Sequence, residues 1–192
     1  VPSQVITNHD LAQRVDTTDE WIVARTGIRE RRVVAPGETA SSMAVAAARE
    51  ALTMAGVKPR DLGLIIVATS SPDYLTPPIS SQIQHALGAK DVGAFTMGVG
   101  CPGFVYALVT AQQFIASGAC ETVLVIGVEV VSRFLNWEDR ATCVLFGNGA
   151  GAVVLQASET RGIIASKLHA DGSHRDMLKA DGSIRNGEVQ GD

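Results

Sequence analysis

Three groups of residues have the types and spacing for chemistry. Cys101 stands in MGVGCPGFVYAL, residues 97 to 108, with glycines before it, Pro102 and Gly103 after it, and then an apolar run. Pro102 suits the first position of a helix, where a missing N–H costs nothing, and this places Cys101 at the N-cap. A sulfur there lies beside orphan amides and the positive end of the helix dipole, surroundings that favour a thiolate nucleophile. The neighbouring glycines let a substrate carbonyl approach the backbone. A small, inert cysteine buried in a crowded turn fits the same residues, and both readings stand. Cys120 follows a helix end, where the dipole opposes a thiolate, and Cys143 opens an apolar strand and reads as core.

The second group is Trp21 and Arg25, four apart in NHDLAQRVDTTDEWIVARTGIRERRVV and therefore on one face of a helix. Arg29, Arg31 and Arg32 follow closely. Composition favours a solvated, salt-bridged surface helix, with a site for an anionic aromatic ligand as the alternative. The third is GNGAGA, residues 147 to 152, which resembles a phosphate loop. Apolar strands flank it and no helix follows, so a hairpin turn is predicted. A nucleophilic cysteine needs a base. None of His9, His85, His169 and His174 has the context of one: His85 reads as structural and His169, in LHADGS, as a strand-end residue.

Elements that would position these groups alternate along the chain. TASSMAVAAAREALTMAGV (39 to 57) is a helix with Thr39 as N-cap and Gly56 as its stop. LGLIIVATSS (62 to 71) and TVLVIGVEVV (122 to 131) read as strands covered on both faces. Between them come the loop SPDYLTPP, a helix ISSQIQHALG ending at Gly88, and a strand VGAFTMGVG (92 to 100) that loosens into glycines. The helix of 101 to 118 is apolar almost all round, which predicts burial in the interior. CVLFGNGAGAVVLQA (143 to 157) reads as two strands about a turn. The alternation predicts a single α/β domain with a mixed, mostly parallel sheet layered between helices.

The chain has 192 residues, 46% hydrophobic, with a formal net charge of -4. Basic blocks and stripes are missing, which argues against nucleic acid or an anionic membrane as partner. No apolar run has the length of a membrane span and no signal peptide opens the chain. Three widely spaced cysteines give neither a disulfide framework nor metal-ligand spacing, so the setting reads as reducing and cytoplasmic, with no metal. Val1 in place of methionine and the structureless-looking end IRNGEVQGD suggest a piece of something larger.

TNHDL, DEWIVARTGIRERR, LIIVATSSPDYLTP, CPGFVYAL, DRATCVLFGNGAGAVVL and LHADGS, in this order and spacing, resemble the β-ketoacyl-acyl-carrier-protein synthase III family of the thiolase-like superfamily. The resemblance implies an acyltransferase that initiates fatty-acid synthesis as a homodimer. Cys101 matches the cysteine that takes an acyl group from acyl-CoA, acetyl-CoA being the expected donor, before malonyl-acyl-carrier protein is decarboxylated and condensed with it. Trp21 and Arg140 match the CoA adenine contacts and Arg25 a further basic CoA contact, while Thr76 falls in the loop that reaches the partner subunit's acyl pocket. No cofactor is implied, the acyl-CoA being substrate.

Where the family has an acidic residue and alanines before the cysteine, this chain has Thr96, Met97, Gly98, Val99 and Gly100. The family's catalytic histidine and asparagine lie in Pro-His-Gln-Ala-Asn and Gly-Asn-Thr-Ser motifs of a second half, and neither motif occurs here. A strand expected ahead of VPSQVITN is also missing. The resemblance thus implies most of an amino-terminal half, residues 1 to 192, without the carboxy-terminal half and inactive in condensation alone. A polyketide-starter or ester-forming acyltransferase and a non-catalytic thiolase-like dimerisation module are the alternatives.

Overall fold

Residues 64 to 68, LIIVA, are apolar without alternation and need cover on both faces. They have it in the computed structural model, which describes residues 1–160 and 162–179 and the backbone of 183–185 and 188–190. In chain order the elements are β1 (Gln4–Thr7), α1 (Asn8–Ala12), α2 (Asp19–Thr26), β2 (Glu30–Val33), α3 (Ala40–Ala55), β3 (Leu64–Ala68) and α4 (Ile79–Leu87). There follow β4 (Gly93–Met97), α5 (Gly103–Ala116), β5 (Thr122–Val130), α6 (Arg140–Cys143), β6 (Asn148–Gln156), β7 (Ser183–Arg185) and β8 (Glu188–Gln190).

The main sheet has the order β4-β3-β5-β6, with β3 parallel to β4 and β5, and β6 antiparallel to β5. The α/β class and the mixed, mostly parallel sheet between helices are as expected. On one face Met43, Ala44, Ala48 and Leu52 of α3 and Ile79 and Ile83 of α4 pack on Ile65, Val67, Leu124 and Ile126. On the other, Ala107 and Ala111 of α5 pack on Leu64, Ile66, Val123 and Val125. Small residues bring α5 close: a Cβ on Gly103 would lie 3.2 Å from the Ala68 Cβ, and one on Gly127 3.1 Å from Phe104.

The predicted caps are where the sequence puts them. Thr39 and Ser42 form a capping box at the start of α3, and Gly56 ends it in the left-handed conformation. Gly88 ends α4 in the same way. A second, smaller unit joins the first 33 residues to the segment ahead of β6: β1 pairs antiparallel with β2, and Ile6, Leu11, Ile22, Val33, Cys143 and Val144 form its core.

Four expectations are corrected. The helix at 101 to 118 is not interior. It covers the sheet with Ala107 and Ala111, while Val105 is 53% exposed and Phe114 37%. Apolarity all round a helix sets no limit on which faces this chain covers. GNGAGA is no hairpin turn. From Asn148 onward it is the start of β6, zipped along β5 with Gly151 opposite Gly127 and Gly149 opposite Glu129, because the long β5 edge supplies partners that local turn propensity cannot outweigh. Cys143 opens no strand; it ends α6, buried as expected. Finally, within the supposedly structureless end, β7 and β8 pair antiparallel. Their intervening residues 186 and 187, and 191 and 192, lie outside the described residues. No described helix is long and apolar enough to cross a membrane.

Candidate active site

The strand-to-helix connection at Cys101 is a tight turn. Gly100 adopts a positive φ of 66°, and the Gly103 N–H closes the turn on the Gly100 carbonyl at 2.9 Å. Pro102, with φ -78° and ψ 6°, is the N-cap, and its carbonyl accepts the Tyr106 N–H at 3.1 Å. Cys101 therefore stands one residue ahead of the N-cap, whereas the sequence predicts it at the N-cap. The physical reason is Gly103, whose N–H is drawn back into the turn and so starts the helix later than Pro102 alone would.

Cys101 is exposed, while Cys120 is half-buried and Cys143 fully buried. Burial pushes the Cys120 and Cys143 thiols up from their ordinary value, which leaves them poor nucleophiles. Cys101 opens onto a cavity of about 210 Å³ lined also by Ala68, Phe104, Glu129, Gly149 and Gly151. It lies at the carboxyl ends of the parallel strands β3 and β5, the edge where open α/β sheets bind ligands. Gly149 and Gly151 keep it open, since a Cβ added at either would meet nothing within 4 Å.

Glu129 was not among the residues singled out from sequence. Its carboxylate accepts the Ser70 N–H at 2.7 Å and the Ser71 hydroxyl at 2.5 Å, and Ser71 Oγ in turn accepts the Val130 N–H at 2.7 Å. These bonds tie the loop after β3 to the end of β5 beside the cavity. A lone acid in the apolar run TVLVIGVEVV was the available signal. His169 does not bring a ring to Cys101 by any hydrogen bond; its carbonyl accepts the Tyr106 hydroxyl at 2.8 Å, fastening the 162–179 segment to α5.

Trp21, Arg25 and Arg140 come together in the smaller unit. The Arg25 guanidinium carbon lies 4.3 Å from the Trp21 ring centroid, and that of Arg140 lies 4.9 Å away. The Thr18 hydroxyl caps α2 through the Trp21 N–H at 3.1 Å. Asp139 caps α6, accepting from Ala141 N and from Thr142 Oγ1, and these bonds hold its carboxyl below the ordinary value. Arg140 also donates to the Asp16 carbonyl at 3.0 Å. An indole with two guanidinium groups against its ring is a surface that can stack a purine and pair with phosphate.

Thr76 stands apart from both clusters, exposed in a loop whose Tyr74 and Leu75 are 61% and 72% exposed. Among the described residues no cluster of histidine, cysteine and acidic side chains is arranged to hold a metal.

Residues 95–172 match the family described as 3-Oxoacyl-[acyl-carrier-protein (ACP)] synthase III. The β-ketoacyl-[acyl-carrier-protein] synthase III of Methylococcus capsulatus is 50% identical over 188 residues, 98% of this chain and 59% of that protein. The chain is homologous to synthase III. In structure, the crystal structure of the Aquifex aeolicus synthase III superposes with a TM-score of 0.92 at 48% identity, over 99% of this chain and 61% of that one. A priming β-ketosynthase of the R1128 polyketide pathway follows at a TM-score of 0.81 and 41% identity, over 84% of this chain and 48% of that one. The chain thus spans about three-fifths of the length of the synthase III relatives it matches.

Proposed function

We propose that this chain is the acyl-accepting part of a β-ketoacyl-acyl-carrier-protein synthase III, an acyltransferase of fatty-acid chain initiation. The observation that carries the reading is Cys101, the exposed thiol of three, at the mouth of a glycine-kept cavity where parallel strands end and α5 begins. The Cys101 thiolate attacks the thioester carbonyl of an acyl-CoA, for which acetyl-CoA is the expected donor. A bond forms from Sγ to the carbonyl carbon, the carbon–sulfur bond to CoA breaks, and CoA leaves as the thiol with the proton that Cys101 gave up. Trp21, Arg25 and Arg140 hold the adenine and phosphate end, a purine replacing the direct stacking of guanidinium on indole. The acyl-CoA is a substrate, and the reaction draws on no further cofactor.

Malonyl-acyl-carrier protein is the second substrate. Loss of carbon dioxide leaves a carbanion that attacks the acyl carbon, forms the carbon–carbon bond and frees the Cys101 thiolate. In the family a histidine and an asparagine serve this step, from motifs that are not found in these 192 residues. Residues 1 to 192 are accordingly most of the amino-terminal half of a cytoplasmic homodimeric enzyme, with Thr76 in the loop toward the partner's acyl pocket. Incubated with acetyl-CoA and malonyl-carrier protein, the chain should release one CoA per Cys101 and make no β-ketoacyl product. Sustained product formation at an enzymatic turnover rate would contradict the division of labour.

The likeness to a polyketide priming ketosynthase favours a second reading, an acyltransferase of the same chemistry with a different starter acyl group. Rates of Cys101 acylation across a panel of acyl-CoAs separate the two, a preference for acetyl-CoA supporting the first.

A further inference from the structure

Arg31 is the inward-pointing arginine of β2, 5% exposed, opposite Ile6 in the β1–β2 ladder. Its Nη1 donates to the Ile6 carbonyl at 3.1 Å. Its Nη2 donates to Asn8 Oδ1 at 2.7 Å and to the Val144 carbonyl at 3.2 Å. Val144 is the C-cap of α6, the short helix that begins with Arg140. Asn8, fully buried, passes the linkage on: its Nδ2 donates to Asp19 Oδ1 and to the Ile28 carbonyl, both at 2.8 Å. Asp19 is the first residue of α2, which carries Trp21 and Arg25. A continuous hydrogen-bonded path therefore runs from α6 through the buried Arg31 and Asn8 to the start of α2, and Arg25 of α2 and Arg140 of α6 both lie against the Trp21 ring.

The arrangement is a costly way to fill a core. Arg31 Nε is buried and has no acceptor among the described residues. Burial also lowers the guanidinium's proton affinity below that of an ordinary arginine. A buried charge with an unmet donor adds little net stability over a well-packed apolar side chain, whereas its directional bonds fix geometry. Room for it is reserved as well: a Cβ on Gly147 would lie 3.2 Å from the Arg31 Cβ and 3.1 Å from the Arg32 carbonyl oxygen.

We propose that Arg31 and Asn8 are positioning residues for the adenine end of the acyl-CoA site, setting the spacing between Trp21 on α2 and Arg140 on α6. The proposal rests on the reading of Trp21, Arg25 and Arg140 as the adenine and phosphate contacts. It gives Arg31 a role distinct from its exposed neighbours Arg25 and Arg29, because it acts on the ligand only through the two helices.

The test compares two acyl donors on the unsubstituted chain, Arg31→Met and Asn8→Ala. Acetyl-CoA carries the adenine end, and acetyl-N-acetylcysteamine does not. Both variants should raise the acetyl-CoA concentration for half-maximal Cys101 acylation by on the order of tenfold, the equivalent of one charge-assisted hydrogen bond. Acylation by acetyl-N-acetylcysteamine should keep the unsubstituted rate. Equal loss with both donors would mean a merely structural role and overturn the proposal, as would unchanged saturation by acetyl-CoA. If Arg31→Met does not fold, as judged by circular dichroism, Asn8→Ala decides, since it leaves Arg31 its bonds to Ile6 and Val144. If the unsubstituted chain is acylated without saturating in acetyl-CoA, the adenine site itself fails and the relay with it.

Discussion

Asp73 shows how a single residue fixes a loop to the start of a helix. Its side chain is almost fully buried, with the carboxylate accepting the Ala40 and Ser41 N–H groups at 2.9 and 2.8 Å and an Arg133 Nη2 at 3.0 Å. It thereby caps the first turn of α3 from the loop that also carries Thr76. Burial acts to raise its pKa, but the bonds from Ser41, Ala40 and Arg133 outweigh it and hold the carboxyl below its ordinary value of 3.8. Because the folded value is the lower one, the stabilisation is complete above the unfolded-state value and is lost as pH falls through the folded value. Asp73→Asn should therefore cost about 1 to 2 kcal/mol at neutral pH, and the difference in thermal midpoint from the unsubstituted chain should shrink as pH falls below the ordinary carboxyl value. A difference that stayed constant across the acid range would contradict the charge-assisted role. Among the thiols the same logic of surroundings separates Cys101, which is exposed at the cavity, from Cys120 and Cys143, which burial disarms.

At the scale of elements, α5 is held to the sheet by contacts that leave no slack at its first turn. The Ala68 Cβ that faces Gly103 belongs to β3, which is flanked by β4 and β5, so it cannot retreat. Gly103→Ala should push the start of α5 away from the sheet, destabilise the fold by roughly 1 to 3 kcal/mol, and slow Cys101 acylation by more than Gln113→Ala on the exposed side of α5. Chemical denaturation and acylation rates on both variants check this; equal acylation rates would show that the turn at Cys101 does not depend on that contact. Much of the element order was legible because β3, β5, α3 and α4 carry strong local signals: unbroken β-branched runs, a Thr39 cap, and Gly56 and Gly88 as stops. The start of α5 was legible only to within a residue, since Pro102 and Gly103 give competing cues and the turn that resolves them is closed by Gly100. GNGAGA misled because strand pairing over β5 is a long-range fact that no local window contains.

Across the whole molecule, the site divides into two clusters, the Cys101 cavity on the main sheet and the Trp21 stack in the smaller unit. The sequence brought out Cys101, Trp21 and Arg25 by type and spacing, and Arg140 through family likeness, because a residue 119 positions from Trp21 offers no local sign that they meet. Glu129 and Asn8 went unnoticed, and Arg31 was read only as one of a run of arginines, for the same reason: their roles lie in partners supplied by distant strands and helices. The outer face of α5, with Val105 and Phe114, shows the reverse limit, since apolar sequence predicts cover without saying which part of a protein supplies it.

The proposed acyl transfer to one sulfur is tested most directly by the mass of the intact chain after incubation with acetyl-CoA, followed by mapping of the modified peptide. The unsubstituted chain should gain a single acetyl group on the peptide containing Cys101, Cys101→Ser should gain none while keeping its circular dichroism spectrum, and Cys120 and Cys143 should stay unmodified. Acetylation that persists in folded Cys101→Ser, or no acetylation of the unsubstituted chain at all, would contradict the account.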